Sequence, residues 1–317
     1  MTNPNLSPHE SQTNTQPTRA TDPMGRFQPV IIHIPPSEIS RPTGCYVASG
    51  LLVAIPILVG VALLLVYMLS STRTNLLILG IDRPPVGTEL SRTDTIILVS
   101  VIPRHPIIHM LSIPRDLWLA IPGHGENRIN TAHFYAEVDH PGSGPAAAQK
   151  VVEDNFQVKV PYYFRIQFDG FEQVIDAMGG VDVDLPSPEL GMDAGVHHLD
   201  GQQALAFARD RKGTDDFYRM SHGQLLIKSA MAQLLKPATW TRLPDTLVAL
   251  RKVTDTNLPM WEWPRIGLAF LRAGPAGIDN RTLPREMTAP FITSGGADVL
   301  LPRWNLILPL VHELFGP

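Results

Sequence analysis

The chain has 317 residues, enough for one large domain or two small ones. Its formal net charge of −4 excludes the basic surplus of an ordinary nucleic-acid binder, so an anionic partner has to be met by local arginines. The single cysteine, Cys45, excludes an intramolecular disulfide and a Cys-rich metal site.

Residues 1–42 are rich in Pro, Ser, Thr, Asn and Gln and poor in aromatics, a composition that buries too little surface to offset ordering entropy. A disordered tail is expected there. Between Arg41 and Arg73 no residue is charged, and Cys45 to Leu69 is almost continuously apolar. About 20 apolar residues in a helix span the hydrocarbon core of a bilayer, so a transmembrane helix is expected over 43–71. Pro56 is tolerable in such a helix. A cleaved signal peptide is the competing reading, but the apolar run starts far into the chain and no A-x-A-like site follows it. Arg26 and Arg41 before the run balance Arg73 and Arg83 after it, so flanking charge leaves the orientation open.

The remainder, 72–317, is expected to form one domain. Three short apolar runs open it: Asn75 to Gly80, Thr95 to Ser100, and Ile107 to Ile113. Each is β-branched or leucine-rich and ends at a turn-forming residue, which predicts buried strands. The first delivers Asp82, Arg92-Thr93-Asp94 introduces the second, and the third delivers Pro114-Arg115-Asp116. If the first two strands are neighbours, Asp82 and Asp94 share one rim of a sheet. Two carboxylates beside an arginine suit Mg²⁺ and a phosphate, because Mg²⁺ takes one or two carboxylates and completes its shell with phosphate oxygens and water. The same aspartates also suit a turn and a strand entry on local grounds alone.

Further along, Pro145 can open a helix, and Tyr162 to Phe168 reads as a strand. Asp169 and Glu172 have the spacing of a capping box, and the helix they introduce stops at Gly179-Gly180. Val181, Val183 and Leu185 alternate as a half-buried strand. Asp200 and Gln203 repeat the capping signature before a helix ending at Arg209-Asp210-Arg211-Lys212. The next helix is expected from about Arg219 to Leu235, with Leu225, Leu226, Ala230 and Leu234 inward. A helix near 243–250 follows, then a terminal one from Arg303 to Phe315 interrupted by Pro309. Alternating strands and helices predict an α/β fold, a three-layer α-β-α sandwich with a central mixed sheet, preceded by the one transmembrane helix.

Arginines punctuate this pattern at Arg92, Arg115, Arg209, Arg211 and Arg219. Guanidinium is permanently charged and offers planar, bidentate donors that match phosphate. For Arg209 and Arg211 the helix dipole offers a second explanation. Asn130 is expected to hold a loop. His105 and His109 flank Pro106 and make no helical metal pair, and His197-His198 is expected in a solvated loop. No HExxH, Walker, GxGxxG or GxSxG motif is present.

Residues 76–82, Arg92 to Thr95, Ser112 to Asp116, Arg128 to Asn130, Phe168 to Phe171, Gly179 to Val183, Leu199 to Ala206 and Asp216 to Arg219 follow one another in a recognisable order. In this order the sequence resembles the LytR-CpsA-Psr family of membrane-anchored cell-wall enzymes over about residues 75–236. The resemblance implies a phosphotransferase that moves a glycopolymer from a polyprenyl-diphosphate carrier to a peptidoglycan hydroxyl. It also implies a cell-membrane location, single-pass, with the C-terminal domain extracytoplasmic. On this reading Asp82 and Asp94 hold Mg²⁺, Arg92, Arg115, Arg209, Arg211 and Arg219 bind the diphosphate, and Arg115, Asp94 and Asp82 form the catalytic group. A bound lipid tail would require an apolar groove, which the leucines after Leu225 could line. Relatives usually carry an arginine three residues after Arg219 and two glutamines behind it, where this chain has His222, Gly223 and Gln224. Gln224 is the remaining candidate for the glutamine contact, although it points about 100° further round a helix. A hydrolase acting on the same lipid and a non-catalytic anchored binding protein stay open beside the transferase.

Overall fold

The computed structural model describes residues 43–82, 91–105, 107–210 and 216–316, with side chains from Val53 onward except that of residue 216. The expected tail 1–42, the Cys45 side chain and Arg211 lie outside the described residues. The chain divides at Pro56 into units 1–56 and 57–317. Helix α1 runs Thr43–Met68 and contains Pro56. Among the described residues no helix is long and apolar enough to cross a membrane.

After α1 come β1 (Thr74–Ile81), β2 (Thr93–Val101) and β3 (Ile108–Ser112), then β4 (Trp118–Ile121) and β5 (Gly125–Arg128). Helices α2 (Thr131–Asp139) and α3 (Gly144–Phe156) lead to β6 (Tyr162–Gln167), α4 (Phe168–Met178), β7 (Val181–Leu185) and β8 (Gly195–Leu199). Then follow α5 (Gly201–Arg209), α6 (Asp216–Leu234), α7 (Leu243–Val253), β9 (Thr254–Thr256) and α8 (Glu262–Ala273). The chain closes with β10 (Ile278–Thr282), β11 (Thr288–Ile292), β12 (Asp298–Pro302) and α9 (Trp304–Phe315).

The central sheet has the order β10-β3-β2-β1-β6-β9. It is mixed: β1 runs parallel to β6 and β3 to β10, while β1/β2, β2/β3 and β6/β9 are antiparallel. Strand β1 is apolar at nearly every position because both its faces are covered. Leu77 and Leu79 pack with Val151, Val152 and Phe156 of α3 and Val311 and Leu314 of α9. Leu76 and Ile78 face the other way, toward Ile227 of α6 and Ala269 of α8. Fully burying one such leucine contributes about 1.5–3 kcal/mol, so the alternation sets the strand register firmly. A third apolar cluster joins α4, α5, α6 and the β7–β8 hairpin.

Local signals explain most element ends. Asp200 caps α5 by accepting from the Gln203 backbone N–H, and Gln203 answers with its own side chain, a complete capping box. Gly179 ends α4 at φ +85°, a backbone region where a residue with a Cβ is strained. Three expectations need correction. Helix α4 starts at Phe168 with Gln167 as its uncapped N-cap residue, so Asp169 and Glu172 form no capping box; the helix continues directly from β6 and draws Asp169 into its first turn. Pro309 does not interrupt α9, which is held by the burial of Ile307, Val311, Leu314 and Phe315 on one face. His197 and His198 lie on strand β8, paired to β7 by main-chain bonds, and His198 Nδ1 meets Asp182 Oδ1 at 2.6 Å.

Candidate functional site

The antiparallel pairing of β1 and β2 puts the end of one strand beside the start of the other. Gly80 pairs with Thr95 and Ile81 with Thr93, which leaves Asp94 as the extra residue of a β-bulge. A bulge breaks the strict alternation of a strand and re-aims one side chain. Asp82, one residue past β1, and Asp94 therefore occupy the same rim.

Arginines from three separate elements reach that rim. Arg115, after β3, donates from Nη1 to Asp94 Oδ1 at 2.6 Å. Its Nε lies 3.6 Å from Asp116 Oδ2, and Arg128 Nε lies 3.1 Å from the other oxygen of the same carboxylate. Arg209, at the end of α5, donates from Nη2 to Asp82 Oδ1 and lies over the Phe168 ring, 5.0 Å from its centroid. Arg219, in the first turns of α6, donates to the main-chain carbonyl of Asp94 at 3.1 Å. Asp82, Asp94, Arg115, Arg209 and Arg219 thus converge from positions spread between 82 and 219 of the sequence.

The other expected site residues fare differently. Arg92 is exposed and lays its guanidinium on the Phe134 ring at 5.8 Å. Gln224 is 6% exposed, and its carboxamide donates to Ser112 Oγ at 2.8 Å and to the Arg281 carbonyl at 2.5 Å. It ties α6 to β3 and β10 in place of the ligand contact expected of it. His222 is buried, with Nε2 at 2.7 Å from Glu189 Oε1 and its ring stacked on Phe207. Phe168 and Arg128 join the site although sequence reasoning gave them no role there, and Asp116 stands between Arg115 and Arg128. Phe168 and Arg128 stood in motifs already noted, but nothing local told where their side chains go.

An apolar cavity of about 270 Å³ lies between the sheet and helices α4 to α7. Its wall includes Gly80 and Thr95 of the sheet, Phe171 and Ile175 of α4, Leu226 of α6 and Leu250 of α7. It borders the charged rim at Phe168, whose ring lines the cavity and lies under the Arg209 guanidinium. A Cβ at Gly80 would lie 2.9 Å from Thr95 Cβ and 3.3 Å from Phe168, too close to fit, so this position takes no side chain. Gly223 also lines the cavity, and a Cβ there would meet nothing within 4 Å.

The donor set at the rim is two carboxylates with guanidinium neighbours. Among the described residues no group of three or more His, Cys, Asp or Glu could hold a metal ion. Both rim carboxylates are engaged by arginines, Asp94 by Arg115 and Asp82 by Arg209.

The chain is 36% identical over 192 residues to the polyisoprenyl-teichoic acid–peptidoglycan teichoic acid transferase TagU of Oceanobacillus iheyensis, and 29% identical over 220 residues to the regulatory protein MsrR of Staphylococcus aureus. These alignments cover 59% and 67% of this chain, and span 59% and 64% of the length of those two proteins. Among solved structures, TagV of B. subtilis superposes with a TM-score of 0.64 at 22% identity, covering 78% of this chain and 98% of that one. TagT bound to LIIa-WTA superposes at 0.61 and 23% identity, covering 77% and 91%, so the fold is shared. The LytR_cpsA_psr family model matches residues 66–300, and the chain belongs to that family.

Proposed function

We propose that this chain is a membrane-anchored phosphotransferase that moves a glycopolymer from a polyprenyl-diphosphate carrier to a hydroxyl of peptidoglycan. One observation carries the reading: a rim bearing three arginines and two aspartates borders an apolar cavity at Phe168, which lines the cavity and lies under the Arg209 guanidinium. A ligand with a doubly phosphorylated head and a long hydrocarbon tail matches both halves. The TagU relative, named for transfer of polyisoprenyl-linked teichoic acid to peptidoglycan, supports the same class of reaction.

Phosphoryl transfer needs little covalent help from a protein; it needs positioning and neutralisation of phosphate charge. Arg115, Arg209 and Arg219 grip the diphosphate oxygens, with Arg92 and Arg211 extending the basic set. Asp82 and Asp94 would hold Mg²⁺, which, when bound, would neutralise phosphate charge. The acceptor oxygen bonds to the phosphorus attached to the glycan, the bond from that phosphorus to the bridging oxygen breaks, and polyprenyl phosphate leaves. The hydroxyl proton goes to a base, for which Asp94 and Asp116 stand nearest in chemistry. The charge-free, almost continuously apolar run from Cys45 to Leu69 is the anchor on the strength of its sequence, long enough for a hydrocarbon core that takes about 20 residues. The domain from 72 to 317 is then extracytoplasmic, where peptidoglycan lies.

The test is a reconstitution of the full chain in lipid with Mg²⁺ and a short lipid-linked glycan, with and without an acceptor glycan. Transfer dependent on acceptor is the expected result. Release of free glycan without acceptor would make the protein a hydrolase, and binding without turnover would make it an anchored receptor for the lipid; either result overturns the transferase reading.

A further inference from the structure

Two consecutive residues of α2 hold the segment that opens β2. His133 is 2% exposed, and its Nδ1 faces the Ser91 carbonyl at 3.3 Å. Phe134 lies under the Arg92 guanidinium. Ser91 in turn donates its hydroxyl to the main-chain carbonyl of Asp82 at 2.7 Å. A continuous line of contacts therefore runs from the buried face of α2 to the backbone of a rim aspartate nine positions earlier in the chain.

The other side of the imidazole fixes its tautomer. Nε2 faces Arg165 Nη1 at 3.2 Å, and Arg165 is itself held by Glu137 and Asp255, each at 2.8 Å. Guanidinium can only donate, so Nε2 accepts, the ring proton sits on Nδ1, and Nδ1–H donates to Ser91. Burial, with the neighbouring Arg165 charge, pushes the His133 pKa down to about 4. The ring is neutral at neutral pH, and the direction of the whole chain of bonds is set.

We propose that His133 and Ser91 are positioning residues that fix the main chain at Asp82 and so aim its carboxylate at the rim. This rests on reading Asp82 as a ligand of a divalent cation. A histidine that merely filled the core would tolerate loss of its hydrogen bonds, and the Ser91 hydroxyl would be dispensable.

The experiment titrates the full chain in detergent with Mn²⁺ alone, following free Mn²⁺ by electron paramagnetic resonance. Removing a residue that orients a metal ligand typically weakens affinity about 10–100-fold. Ser91→Ala and His133→Leu are expected to fall in that range. His133→Asn, which retains an N–H donor in place of Nδ1, is expected to stay within about threefold of the parent. Unchanged affinity in Ser91→Ala, or equal losses in His133→Asn and His133→Leu, would overturn the inference. Ser91→Ala keeps the test usable if His133→Leu fails to fold. Should the parent bind no Mn²⁺, or bind it equally after Asp82→Asn, the metal assignment fails by itself. Amide hydrogen exchange across Gly80 to Asp82 then decides the positioning role: acceleration of about tenfold in Ser91→Ala supports it, and no change overturns it.

Discussion

Two arginine-centred regions of the 57–317 unit are built on opposite plans. Where α8 meets the end of α1, Arg265 is 3% exposed. Its Nη1 donates to Thr74 Oγ1 at 2.8 Å and Glu262 Oε2 at 3.0 Å, its Nη2 donates to Ser70 Oγ at 3.1 Å, and its plane lies near the Tyr67 ring. Tyr67 closes the group by donating to Glu262 Oε1. At the rim, Arg115 and Arg209 keep 23% and 35% of their side-chain surface, and the carboxylates they meet keep 14% and 40%. A buried ion pair whose two terminal guanidinium nitrogens both donate to side-chain oxygens is a fastening. Partly exposed pairs contribute only about 0–1 kcal/mol each, so stability does not account for gathering so many charges in one accessible place. The diphosphate binding proposed for this rim would.

The contrast breaks most visibly at Arg265. Arg265→Ala strands the Glu262 carboxylate in a buried setting and is expected to cost about 3–5 kcal/mol, against at most about 1 kcal/mol for Arg115→Ala. Thermal unfolding of both variants checks this, and equal losses would erase the distinction. In turnover the order reverses. Arg115→Ala is expected to slow glycan transfer about 10²–10³-fold, the usual effect of removing one preorganised charge-stabilising donor. A rate within about threefold of the parent would remove Arg115 from the catalytic group.

Acid sharpens the comparison at a third charged cluster, around His133 and Arg165. His133 titrates near 6.5 when unfolded and at about 4 when folded, so between those values only the unfolded chain takes up the proton. Stability should therefore fall as pH drops from about 6.5 to 4, by no more than about 3 kcal/mol from this group. Denaturant melts across that window should show a shallower fall in His133→Asn, and an unaltered slope would assign the acid sensitivity elsewhere. The smallest effect is expected at Gly223. An alanine there meets open space and improves the α6 interior, so Gly223→Ala should gain up to about 1 kcal/mol, visible as a rise in Tm. A loss would mean the cavity wall is tighter than the geometry allows.

Much of the fold was legible because its signals are local. Apolar runs ending in turn residues marked β1, β2 and β3, and Asp200 with Gln203 marked the start of α5. The site was legible only as a set of candidates. Asp82 and Asp94 share a rim because β1 and β2 pair antiparallel, and Asp94 points where it does because a bulge leaves it unpaired. Gln224 was expected at the ligand, but the rotation of α6 against the sheet sends its carboxamide to Ser112 and Arg281. His133 had no signal for this role, since Ser91 stands just before β2 and Arg165 on β6, and no spacing records their meeting with α2.

The sequence by itself determined several of the strands and helices, such as β1 to β3, β6, β7 and α5, where a charge-free run precedes the domain, and which residue types are available for phosphate chemistry. These follow from side-chain periodicity and from hydrogen bonds between near neighbours in the chain. The tertiary structure alone decided which arginine faces which carboxylate, which polar residues became fasteners, and that an apolar cavity borders the charged rim. Those outcomes depend on strand order and on how each helix is turned against the sheet, which distant parts of the chain settle by packing together.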